Sequence, residues 1–66
     1  MVLLAEKVSV IKDGVRYLCN AEQIMVKGGT NVIYVTENGT IIKQEPMHRY
    51  EQRLKRRNCT AYTLRA

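Results

Sequence analysis

The side chains in this sequence that cluster, and could do chemistry together, are basic. Arg49, Arg53, Lys55, Arg56 and Arg57 fall in one short stretch, with Arg65 close behind. Arginine presents a planar fork of donors that matches a phosphate or a carboxylate two bonds at a time, so such a run is suited to holding an anion. At 100° per residue of helix, Arg49, Arg53 and Arg56 share a stripe and Arg57 lies beside it. Nucleophiles are scarce by comparison: His48 is the one histidine, Ser9 the one serine, and Cys19 and Cys59 the two cysteines.

A cysteine nucleophile would require Cys59 to meet His48 across a helix terminus, with no third group to orient the base. The best enzymatic arrangement is metal-independent RNA cleavage. There His48 or Glu51 would serve as general acid or base, and Arg49 or Arg53 would neutralise charge on the phosphorane. A histidine on an exposed helix face is more often a solvated side chain, so this reading ranks below a non-enzymatic one. With no Cys-x-x-Cys pair and no second histidine, neither a metal nor a cofactor is expected.

Charge is distributed unevenly. Lys7, Lys12, Arg16, Lys27 and Lys43 balance Glu6, Asp13, Glu22, Glu37 and Glu45 over residues 1–45, whereas residues 46–66 set Arg49, Arg53, Lys55, Arg56, Arg57 and Arg65 against Glu51 alone. The net charge of +5 therefore belongs to the last third of the chain. A neutral body with a basic end predicts an anionic partner: nucleic acid, an acidic protein surface or a membrane. The competing explanation is a solvated helix face that keeps a small protein soluble.

The elements that must position these groups are legible from turn chemistry. Val32 to Thr36 and Thr40 to Ile42 are β-branched or aromatic, and Asn38-Gly39 between them predicts a type I′ hairpin. In that register Thr36 faces Ile41 and Ile33 faces Gln44, which places Ile33, Val35 and Ile42 on one side and Val32, Tyr34 and Ile41 on the other. Asp13-Gly14 predicts a second hairpin in which Val10 faces Tyr17 and Val8 faces Cys19. Val8, Val10, Val15, Tyr17 and Cys19 then share an apolar side, Ser9 and Arg16 a wet one. Cys19 reads as a small buried hydrophobe rather than a reactive thiol. Residues 20–27 could start a short helix capped by Asn20 and Gln23, but Ile24 to Lys27 reads better as strand. Gly28-Gly29 then makes a third turn pairing Lys27 with Thr30 and Ile24 with Ile33.

Pro46 is suited to the first position of a helix running to about Asn58, with Met47, Tyr50 and Leu54 as its docking stripe. Arg49, Arg53 and Arg56 lie off that stripe, so their substitution is expected to spare the fold, whereas Arg57 is on the side nearer the core. Residues 59–66 alternate and predict a fifth strand or a tail.

The sequence thus predicts an α+β, mostly β domain of four to five antiparallel strands: a meander of hairpins over 1–45, a basic amphipathic helix over 46–58, and a C-terminal fifth strand or tail over 59–66. A chain of 66 residues buries only about 60% of its unfolded surface. Dimerisation would supplement so small a core, and a deep substrate cleft is not expected. MVLLAEKV is far shorter than a signal peptide or a membrane span, which predicts a cytoplasmic protein with reduced thiols and no membrane partner. Asn38-Gly39-Thr40 and Asn58-Cys59-Thr60 match the glycosylation pattern by chance. The expected function is non-enzymatic binding of RNA or DNA through phosphate contacts from Arg49, Arg53, Lys55, Arg56, Arg57 and Arg65. An interaction module for an acidic partner is the alternative.

Overall fold

The computed structural model describes residues 1–55. Strands β1 (Val2–Lys12), β2 (Val15–Val26), β3 (Gly29–Val35) and β4 (Ile41–Pro46) pair antiparallel in the order β1-β2-β3-β4, and helix α1 follows over residues 47–55. The architecture is the α+β meander with one C-terminal helix that three turns and one amphipathic stripe predict. Residues 20–26 are strand, the second half of β2, and 27–28 turn. The predicted helix end at Asn58, the strand or tail at 59–66, and Arg56, Arg57 and Arg65 lie outside the described residues.

The first hairpin has the predicted register. Lys12 pairs with Val15, Val10 with Tyr17 and Val8 with Cys19. Asp13 and Gly14 both take positive φ, 52° and 79°, as a type I′ turn requires. The turn of the second hairpin lies one residue earlier than expected, because Val26 pairs with Gly29, and this shifts each cross-strand partner by two residues. The turn residues are Lys27 and Gly28, of which only Gly28 has positive φ, the sign pattern of a type II turn. Glu22 rather than Ile24 consequently faces Ile33.

The Asn38-Gly39 turn is not type I′. Gly39 N–H donates to the Thr36 carbonyl at 2.9 Å, Thr36 N–H donates to the Thr40 carbonyl at 2.9 Å, and of the loop residues only Gly39 has positive φ, 86°. This is a three-residue loop, a type I turn followed by a glycine bulge. The Thr36 side chain favours it locally, since its hydroxyl accepts the Thr40 N–H at 3.2 Å. Thr36 therefore faces Thr40 rather than Ile41. A second irregularity follows: Tyr34 pairs with Lys43 but Val35 with Ile41, which leaves Ile42 as an extra residue in β4. Ile42 packs against the core and Ile41 is exposed, the reverse of the predicted sides.

Val10, Cys19, Ala21, Val32 and Tyr34 form the buried cluster, with Leu4, Ala5, Val8, Tyr17 and Ile42 packed around it. β1 carries two residues more than β2 across their ladder, one between Leu3 and Ala5 and one between Ala5 and Val8, where Lys7 has φ 56°. Such bulges bend and twist a strand, and the sheet curls until its edge strands β1 and β4 approach each other. Met47 and Tyr50 of α1 pack on the core from the concave side, whereas Leu54, the third member of the predicted stripe, is 39% exposed. Burying a side chain such as Val32 or Tyr34 stabilises the fold by about 1.5–3 kcal/mol. Ile33 points to the opposite face, where Glu22 and Gln44 flank it across the ladder, and it is only 3% exposed. Pro46 closes β4, paired with Asn31, instead of opening the helix. On an edge strand its missing N–H forfeits no ladder bond.

Candidate anion-binding groove

Side chains alternate along a strand, so Lys43 and Glu45 of β4 point the same way, toward the side on which Tyr34 and Val32 face them. α1 begins directly after Pro46, and its first two turns run close to β4. The result is a groove of about 460 Å³ lined by Lys43 and Glu45 from the strand and by His48, Arg49, Gln52 and Arg53 from the helix.

Two of its lining residues, Glu45 and Arg53, belong to a hydrogen-bonded triad with Tyr34. Glu45 is 7% exposed, a position where an ionised carboxylate needs partners. The Tyr34 hydroxyl donates to Glu45 Oε2 at 2.6 Å, and the Arg53 guanidinium forms an ion pair with the same oxygen. Arg53 also donates to the Tyr34 hydroxyl at 3.3 Å. Burial pushes the Tyr34 phenol above its ordinary range; the nearby Arg53 charge opposes this and Tyr50 adds to it. The Lys43 ammonium sits over the Tyr34 ring, 5.9 Å from its centre, within reach of a cation–π interaction.

Of the residues singled out in the sequence, Arg49 and Arg53 both line this groove, while Lys55 is exposed in a smaller depression shared with His48, Glu51 and Gln52. Arg53 does more than offer a charge, since one side of its guanidinium is committed to Glu45. The expectation that it could be replaced without cost to the fold is corrected by that pairing. Its side chain is nonetheless 50% exposed, which leaves the rest of the fork open to the groove. Arg53 lies one helical turn from Tyr50, close enough to the docking face to reach back to β4.

Lys43, Gln52 and Glu45 do not stand out in the sequence. Lys43 and Glu45 sit in a stretch of balanced charge, and only the alternation of β4 next to a helix start could link them to Arg49. His48 and Glu51, the acid–base candidates, are exposed, and among the described residues no hydrogen bond joins them. Cys19 is 1% exposed, and burial raises its thiol pKa, away from the thiolate a nucleophile needs. Among the described residues no group of three or more histidine, cysteine or carboxylate side chains could hold a metal ion, and no helix is long and apolar enough to cross a membrane. Comparison of the chain with protein-family models, curated proteins and solved structures finds no match.

Proposed function

We propose that the chain is a small, non-enzymatic nucleic-acid-binding protein of the cytoplasm. Its phosphate contacts come from Lys43, Arg49, Lys55 and the open side of Arg53, and continue in sequence through Arg56, Arg57 and Arg65. The observation that carries this reading is the convergence of Lys43, Arg49 and Arg53, from two different elements, on one groove. Cations gathered on a rigid frame hold an anion at lower entropic cost than the same charges on mobile chain. The ion pair in the lining of the groove supplies that rigidity.

Self-association as a two-fold dimer belongs to the same reading. It is supported by the exposed Ile11 and Leu18, which share the outer face of the first hairpin. Sedimentation at high concentration reads it directly, a clean monomer refuting it. The nucleic-acid reading is tested by titrating labelled RNA, duplex DNA and single-stranded DNA at two salt concentrations. It expects binding that weakens steeply with salt. Absence of binding to all three at low salt refutes it and leaves the groove to an acidic protein.

A further inference from the structure

We infer that the groove selects a phosphate monoester, the phosphorylated end of a nucleic-acid strand, over the diester backbone; this rests on the nucleic-acid reading above. Charge is the first argument. Lys43, Arg49 and Arg53 contribute three positive charges to the lining and Glu45 one negative charge, so with His48 neutral the groove carries three minus one, or +2. A phosphate monoester carries about −1.5 to −2 at pH 7, whereas each backbone diester carries a single charge. The dianion is the better match.

Shape is the second argument. A surface that follows the backbone spreads its cations in a row, one per phosphate. Here they converge with Gln52 around a single hollow, where donors from several directions can meet the three terminal oxygens of a monoester. The buried carboxylate would repel an anion if it were bare. Its Oε2 is instead occupied by the Tyr34 hydroxyl and by Arg53, so the lining presents a hydrogen-bonded pair rather than a free negative charge. The groove also borders the first turn of α1 at His48 and Arg49, where the helix dipole favours negative charge.

The test compares oligonucleotides of one sequence bearing a 5′-phosphate, a 3′-phosphate or hydroxyls at both ends, with a nucleoside 5′-monophosphate as competitor. An end-phosphorylated strand should bind about tenfold more tightly than the hydroxyl form. Lys43→Gln and Arg49→Gln should each erase that preference while circular dichroism stays that of the wild type, since both side chains are exposed. Equal affinity for all three strands, still falling with salt, overturns the monoester inference and leaves the backbone reading standing. No binding of any strand overturns both. Displacement of the strand by the nucleoside monophosphate at equal concentration overturns the strand end as the source of the phosphate.

Discussion

Glu45, buried at the end of β4, and Arg53, in the second turn of α1, form an ion pair on the same carboxylate oxygen that accepts the Tyr34 hydroxyl. The pair ties the helix to the sheet where, among the described residues, the helix packs on the core through Met47 and Tyr50. It also decides what the groove is: with Glu45 paired, the cations around it remain available to a ligand.

Removing either partner exposes the asymmetry of a half-buried pair. Arg53→Gln leaves a carboxylate that is 7% exposed with only the tyrosine hydroxyl, so it should destabilise the fold by about 1–2 kcal/mol. This is less than a fully buried pair would lose, because Arg53 is half solvated. In thermal unfolding of so small a domain each 1 kcal/mol lowers Tm by about 4–8 °C. Glu45→Gln keeps a hydrogen-bond acceptor and should cost less than Arg53→Gln. The reverse order would mean that the carboxylate charge, not its loss of a partner, carries the stability.

The Tyr34 phenol gives the pH dependence a sign. Its pKa in the fold is raised by burial above the ordinary value of about 10, so the folded state holds the proton more tightly than the unfolded one. The stability this contributes is complete below about pH 10 and is lost as pH rises through the higher folded value. An ultraviolet titration of the folded protein should show a tyrosine step above the ordinary phenol range. Tyr34→Phe should remove that step, and its persistence in the variant would assign it elsewhere.

The third hairpin tests turn type against sequence expectation. A Cβ at Gly39 would meet nothing within 4 Å, so the penalty of Gly39→Ala comes from the backbone alone, at φ 86°. About 1–2 kcal/mol is expected. Asn38 does not have positive φ, and Asn38→Ala should lower Tm much less. A type I′ turn would penalise both substitutions alike, which is the outcome that would contradict the observed bulge.

These turns also show where the sequence is readable. Asp13-Gly14 specifies its hairpin completely, since the two residues have no competing local bond. Asn38-Gly39 looks equivalent, but the Thr36 hydroxyl and carbonyl offer a three-residue closure, and the extra residue moves Ile42 into the core. The helix and its Met47 and Tyr50 anchors are legible from periodicity. The groove is half legible: Arg49 and Arg53 stand out by composition, whereas Lys43 joins them only through the register of β4 with β3. Arg53 looks dispensable on a helical wheel because the wheel shows direction, not the buried carboxylate on the neighbouring strand.

The most direct test of the account is a binding titration of the wild type and the Lys43→Gln/Arg49→Gln double variant against one nucleic acid at two salt concentrations. The folded double variant should bind at least about tenfold more weakly, and its salt slope should fall by about 2, one unit for each cation removed. A double variant that is folded and retains both wild-type affinity and wild-type salt slope would contradict it.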